Sequence, residues 1–239
     1  MLKALIFDVD GTLADTEEAH RAAFNAAFRD AGFTWHWSET VYTDLLAVSG
    51  GKERIRHYWQ LVDPIGAAAA NADASIAALH ACKTRHYERL AGGGQLALRP
   101  GILRLIREAE QARLSLAIAT TTTSANIDAL LRTPLGRDWR SLFSAVCDAG
   151  SAENKKPAPD VYHAALAALA LPPDACLALE DSDNGLYAAR AAGIPTLVTP
   201  TAYTRGQRFD GALLRIDDLG GIDLAALRSL HADIQLEER

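Results

Sequence analysis

Apolar residues gather into short continuous runs at residues 2–7, 114–119, 145–147, 176–179 and 195–198, separated by stretches whose apolar positions recur every three or four residues. Runs without polar alternation predict strands covered on both faces, and so a parallel sheet sandwiched by helices. The helices have readable ends. Pro100-Gly101 opens one whose residues Ile102, Leu105, Ile106 and Ala109 share a face. Residues 158–169 repeat the period through Val161, Ala164, Ala165 and Ala168, and residues 184–192 form a helix closed by Gly193 and then Pro195. The pattern is that of an α/β fold, a doubly wound parallel sheet.

One segment breaks the rhythm. No buried strand is legible between residues 8 and 113, although a right-handed crossover needs only about a dozen residues. Residues 16–31 read as a helix with Ala19, Ala23 and Ala27 on one stripe and Phe24 beside Phe28. Residues 71–90 read as a second helix, after a flexible Pro64-Ile65-Gly66-Ala67 stretch. The expectation is an α-helical cap over residues 15–93, inserted into a core made of residues 1–14 and 94–239. Ala14-Asp15 and Gly92-Gly93-Gly94 would form the two-stranded hinge.

Polar residues cluster where strands end. The first run leads into Asp8-Val9-Asp10-Gly11-Thr12, the second into Thr120-Thr121-Thr122-Thr123, and the run at 176–179 into Glu180-Asp181-Ser182. Ligands of open parallel sheets bind outside the carboxyl ends of the strands. Each polar cluster by itself is also what caps the next helix, but three together at one edge make a composite site. A carboxylate pair beside a core costs several kcal/mol unless a cation or reacting group compensates it, so Asp8 and Asp10 suit a divalent metal and a phosphate. Lys155-Lys156 precede Pro157-Ala158-Pro159, whose prolines stiffen the entry to a helix. Lys156, next to that rigid turn, is the better placed to balance phosphoryl charge; a solvated lysine pair is the plain alternative.

Composition narrows the partners. The 239 residues carry a net charge of −6, which argues against a nucleic-acid or anionic-membrane surface. No apolar stretch approaches the roughly 20 residues of a membrane span, and the first strand begins almost at once, so no signal peptide is expected. Cys82, Cys147 and Cys176 lie in no CxxC spacing and read as reduced core thiols of a cytoplasmic protein. The seven histidines show no metal-ligand spacing, Gly50-Gly51-Lys52 lacks the rest of a Walker loop, and no strand precedes the glycine run at 92–94. Trp35 and Trp37, flanking His36, read as packing.

The four elements Asp8-Val9-Asp10-Gly11-Thr12-Leu13, Thr120, Lys156-Pro157-Ala158-Pro159-Asp160 and Glu180-Asp181-Ser182-Asp183-Asn184-Gly185 occur in the order of the haloacid dehalogenase superfamily motifs. The chain resembles phosphatases of that superfamily with a Rossmann-like core and a helical C1-type cap after the first motif. Within it, Glu17 to His20, the run Ser49-Gly50-Gly51-Lys52-Glu53-Arg54 and the threonines at 120–123 resemble the CbbY-type xylulose-1,5-bisphosphate phosphatases. The resemblance implies catalysis by Asp8, Asp10, Thr120 and Lys156, with Mg²⁺ held by Asp8, Asp10, Glu180 and Asp181. It implies substrate contacts from Glu17, His20, Gly50, Gly51, Lys52, Arg54, Lys83, Thr120, Thr121 and Lys156. The partner is then a small phosphorylated sugar, and a monomer is the default. A β-phosphoglucomutase-type mutase and a phosphoglycolate phosphatase share these core motifs. A non-enzymatic phospho-receiver has no use for Asp10 as a general acid or for a cap.

Overall fold

The computed structural model describes residues 1–94 and 96–237. Gln95, just after the expected hinge, and residues 238–239, both within the expected core, lie outside the described residues. The elements in chain order are β1 (Ala4–Phe7), α1 (Glu17–Asp30), α2 (Glu39–Leu45), α3 (Gly51–Val62), α4 (Pro64–Ala67), α5 (Ala72–Gly92), α6 (Ile102–Gln111), β2 (Ser115–Ala119), α7 (Ser124–Leu135), β3 (Ala145–Cys147), α8 (Asp160–Leu169), β4 (Cys176–Glu180), α9 (Asp183–Ala191), β5 (Thr196–Val198), β6 (Leu214–Arg215) and α10 (Leu224–Glu237).

The strands form one six-stranded sheet in the order β3-β2-β1-β4-β5-β6, every neighbouring pair parallel. β1 lies between β2 and β4, with Ala4 opposite both Ser115 and Cys176. Successive side chains point to opposite faces of a strand, and here the two faces differ in bulk. Leu5, Phe7, Leu116, Ile118, Leu177 and Leu179 pack with Ile102, Leu105 and Ile106 of α6, Ile127, Leu130 and Leu131 of α7, and Leu227 of α10. On the other face Ala4, Ile6, Ala117, Ala119, Cys176 and Ala178 pack with Val161, Tyr162 and Ala165 of α8 and Ala188 and Ala189 of α9. The doubly wound arrangement expected from the apolar runs is what the chain forms.

The helices between β1 and α6 have an aromatic cluster of their own. Phe24 and Phe28 of α1 meet Trp37, Tyr42, Ile55 and Trp59, with Trp35 packed alongside. Trp37 lies edge-on to Phe28 and Tyr58, so the two tryptophans do pack, while His36 is exposed. Buried Asn25 fixes this loop, its Nδ2 donating to the Trp37 carbonyl at 2.9 Å and its Oδ1 accepting from the Trp37 N–H at 2.8 Å.

Three expectations need correction. The stretch at 64–67 is not an irregular connection but the helix α4, with Pro64 at its first turn and Asp63 accepting from the Gly66 N–H at 3.0 Å. Cys147 and Cys176 are buried, but Cys82 is half-buried on α5, outside the core. Helix 158–169 starts two residues later, at Asp160, because Pro157 and Pro159 occupy its approach.

Candidate active site

β1 delivers Asp8 to the carboxyl edge of the sheet, where its N–H donates to the Leu179 carbonyl at 3.0 Å. The chain then turns at Gly11, with φ at +80°. A Cβ there would lie 2.2 Å from Asp181 Oδ2, so the turn admits glycine alone without displacing an acid of the site. β2 ends at Ala119, and Thr120 is anchored by its N–H to the Cys147 carbonyl at 3.0 Å. Thr123 caps α7, accepting from the Asn126 N–H. β4 carries Glu180 as its last residue, with Asp181 next and Ser182 capping α9.

These ends converge on one buried ammonium. Lys156 Nζ donates to Asp8 Oδ1 at 2.7 Å, Glu180 Oε1 at 2.5 Å and the Ala119 carbonyl at 3.0 Å, and it sits 5.1 Å from the centre of the Tyr162 ring. Tyr162 also donates its hydroxyl to Glu180 Oε1. Oxygens of Asp8, Glu180 and Asp181 lie within 4.8 Å of one another. Burial drives the Asp8 carboxyl up to about 8, Glu180 and Asp10 adding to the rise against the pull of Lys156. Burial, then Asp8 and Glu180, push Asp181 well above the carboxylate range. Burial works against the Lys156 charge, but Asp8 and Glu180 prevail and hold it protonated. Three buried acids thus share one cation, and Glu180 Oε2 has no hydrogen-bond partner. A hard divalent cation with oxygen ligands, such as Mg²⁺, answers both the missing charge and the orphaned oxygen.

Asp10 has a different environment. Its Oδ1 accepts from Thr16 Oγ1 at 2.7 Å and pairs with His20 Nε2 at 2.8 Å. Burial opposes its charge, yet His20 and Thr16 outweigh burial and hold it below the usual carboxylate range. His20 Nδ1 in turn meets Lys83 Nζ at 2.6 Å, and His20 stacks on Tyr87 at 4.0 Å. Burial lowers Lys83 to about 8, Asp10 opposing the fall and Arg54 adding to it.

Core and helical elements enclose a cleft of about 330 Å³, lined by Asp8, Asp10, Thr120, Thr121, Lys156 and Asp181 from the sheet edge and by Glu17, His20, Gly50, Gly51, Lys52, Arg54 and Lys83 from the helices. Glu180 stands behind this lining, 1% exposed. Gly50-Gly51 opens α3 rather than a loose loop, and a Cβ on Gly51 would meet His80 Nε2 at 2.6 Å. Lys52 is exposed and has no hydrogen bond or ion pair among the described residues. Arg54 is occupied: Nε donates to the Leu45 carbonyl at 3.1 Å, Nη2 to the Val48 carbonyl at 3.2 Å and Nη1 to the Tyr42 hydroxyl at 3.1 Å. The Tyr42 hydroxyl in turn donates a hydrogen bond to Glu17 Oε2 at 2.7 Å.

Other residues at and around the cleft were not singled out by the sequence. Asn184 Nδ2 reaches back to the Ala47 carbonyl at 3.1 Å, and Tyr203 donates to Glu18 Oε2 at 2.6 Å, tying the core side of the rim to the helical side. Asn126 and His80 also face the cleft, and burial, with Lys83 and Lys52, lowers His80 to about 4. A polar residue amid alanines on a helix looks like surface until its partner is known. For Asn184 the position in the fourth motif was the available clue.

The sheet order, the acid pair at the end of β1 and the lysine bound to it define a haloacid dehalogenase-like hydrolase, and the model of that family matches residues 2–193. The chain belongs to this family. Within it the chain is a CbbY-like phosphatase, since it is 56% identical over 99% of both chains to the plasmid-encoded CbbY protein of Cupriavidus necator and 47% identical to CbbY of Rhodobacter capsulatus, over 96% of this chain and 99% of that one. The crystal structure of CbbY from Rhodobacter sphaeroides with phosphate superposes with a TM-score of 0.88 at 43% identity, covering 95% of this chain and all of the other. A variant of that protein, solved with xylulose-1,5-bisphosphate, superposes equally well, at 42% identity over 95% and 99% of the two chains. A β-phosphoglucomutase from Clostridium difficile shares the fold at 18% identity. Among the described residues no helix is long and apolar enough to cross a membrane.

Proposed function

We propose that the chain is a Mg²⁺-dependent phosphatase that converts xylulose-1,5-bisphosphate to xylulose 5-phosphate through a phosphoaspartyl intermediate on Asp8. The observation that carries this reading is the buried Asp8 at the end of β1, held at 2.7 Å by Lys156 and opposite a free cationic residue, Lys52, across the same cleft. That arrangement suits a substrate with an anionic group at each end, which is what the Rhodobacter sphaeroides relative holds.

Asp8 Oδ would attack phosphorus and form the acyl phosphate, dividing one displacement into two easier ones. Lys156 balances charge on the phosphoryl oxygens, with the Thr120 hydroxyl and the Thr121 N–H as further donors. Asp8, Asp181 and Glu180, with the Asp10 carbonyl, would hold Mg²⁺, which lets an anionic nucleophile approach an anionic phosphate. Asp10 protonates the departing sugar oxygen and later takes the proton of the attacking water. Held ionised by His20 and Thr16, it stands ready for that second step; for the first it needs a proton, and His20 Nε2 at 2.8 Å is the adjacent donor. Glu17, tied to Tyr42, faces the space where sugar hydroxyls would lie.

Phosphate release with Mg²⁺ over xylulose-1,5-bisphosphate, ribulose-1,5-bisphosphate, 2-phosphoglycolate and β-glucose-1-phosphate tests the assignment. A large kcat/KM preference for the xylulose compound over its epimer is the expected result. Turnover of phosphoglycolate alone, or glucose-6-phosphate formed without free phosphate, overturns it.

A further inference from the structure

On the outer side of the α1–α5 pair, away from the cleft, lies a second group of metal-ligating side chains. Cys82 and His86 are four residues apart on α5, hence one above the other on the same face. The last residue of α1, Asp30, comes up against both. Its Oδ2 pairs with His86 Nε2 at 2.7 Å and lies 3.7 Å from Cys82 Sγ, and the three ligand atoms fall within 4.8 Å of one another. The histidine side chain is 18% exposed and the aspartate 55%, so the group is open to solvent on one side. Cys82 is a free thiol. A search for paired histidines passes over this Cys-x3-His spacing, and neither residue has a part in the chemistry at Asp8.

We propose that Asp30, Cys82 and His86 form a binding site for a borderline-soft divalent transition-metal ion of the zinc class. The donor set decides the class of ion. One sulfur, one imidazole nitrogen and one carboxylate oxygen suit zinc, cobalt or nickel, whereas the oxygen-only set of Asp8, Glu180 and Asp181 suits magnesium. Three protein ligands with an open side leave room for water in the fourth position of a tetrahedral ion. The location favours a cation as well. Asp30 ends α1, where the negative end of the helix dipole and the carboxylate add to one another. The ion would displace the proton of the Cys82 thiol and the proton shared between Asp30 and His86, so binding strengthens as pH rises. It would also join the end of α1 to the middle of α5, the two helices that carry His20 and Lys83 on their inner faces.

The test uses the full chain with saturating Mg²⁺, titrated with Co²⁺ and followed by absorption. Thiolate bound to cobalt gives a charge-transfer band in the near ultraviolet that oxygen ligands do not. One equivalent of Co²⁺ should develop that band, and Zn²⁺ should abolish it by displacement. Cys82→Ser should remove the band while leaving the metal-free melting temperature unchanged, and His86→Ala and Asp30→Ala should each weaken binding by tenfold or more. Absence of the band in the wild-type protein, or a band that survives Cys82→Ser, overturns the proposal.

Discussion

Replacing Asp8 by Asn should make the metal-free protein more stable, by an amount that grows with pH. The carboxyl moves from an ordinary 3.8 to about 8 on folding, chiefly through burial. An acid whose pKa rises on folding stabilises the fold in full below its unfolded value, and that stability is lost as pH rises toward the folded one. Between pH 5 and 7 the folded protein holds this proton and the unfolded chain does not. Asp8 alone therefore lowers stability by about 1.4 kcal/mol per pH unit, or about 3 kcal/mol across the interval. Asn is neutral and equal in size, keeps an acceptor for Lys156 Nζ at 2.7 Å, and leaves that lysine paired with Glu180 at 2.5 Å. For a chain of 239 residues, 1 kcal/mol corresponds to roughly 2–4 °C in melting temperature. The assay is thermal unfolding of both proteins in chelator at pH 5, 6 and 7, in which titrations common to the two cancel. The gap in Tm in favour of the variant should widen by ~6–12 °C from pH 5 to 7. A gap that stays constant would refute the argument that desolvation dominates at Asp8. The same variant should lose phosphatase turnover by about 10³-fold or more.

Three further outcomes separate the roles of neighbouring residues. Lys52→Ala should raise KM about tenfold or more for a sugar bisphosphate and leave KM for a monophosphate unchanged, as befits a free ammonium; Arg54→Ala, which releases the Leu45 and Val48 carbonyls, should impair both substrates. Gly185→Ala, whose Cβ would fall 1.9 Å from Glu180 Oε2, should raise the Mg²⁺ concentration needed for half-maximal activity severalfold while far-UV circular dichroism stays that of the wild type. Asn25→Ala should cost about 1–3 kcal/mol in urea unfolding, because the Trp37 N–H loses its buried acceptor while the Trp37 carbonyl keeps only Arg21 Nη1 at 3.0 Å.

The strands of the sheet's centre were legible because burial on both faces leaves a strand no reason to alternate, and β1 and β4 are buried throughout, as is β2 after Ser115. β6 escaped because two residues, Leu214 and Arg215, show no period. α2 and α3 escaped because each buries only two residues among polar and charged neighbours, Tyr42 and Leu45 in one and Ile55 and Trp59 in the other, too few to draw a stripe. α7 follows a run of threonines, the last of which caps it, but Pro134 near its end argues against helix locally. At the site, residues at strand ends announced themselves, since topology alone places Asp8, Thr120, Glu180 and Asp181 at one edge. Contacts spanning long stretches of chain did not. Lys83 meets His20 across 63 residues, and nothing in either helix's pattern predicts which charged residue on α5 turns inward.

The unequal faces of the sheet have a bearing on catalysis. On the side of α8 the strands present alanines, Ala117 and Ala119 among them, so Val161, Tyr162 and Ala165 rest close to the backbone. The loop that begins α8 carries Lys156, whose ammonium also binds the Ala119 carbonyl at 3.0 Å. The thickness of one packed layer therefore acts as a ruler for the distance from nucleophile to counter-charge. A single added methyl group or two in that layer, far from any substrate, would lengthen the 2.7 Å contact between Lys156 and Asp8, and with it the barrier to phosphoryl transfer.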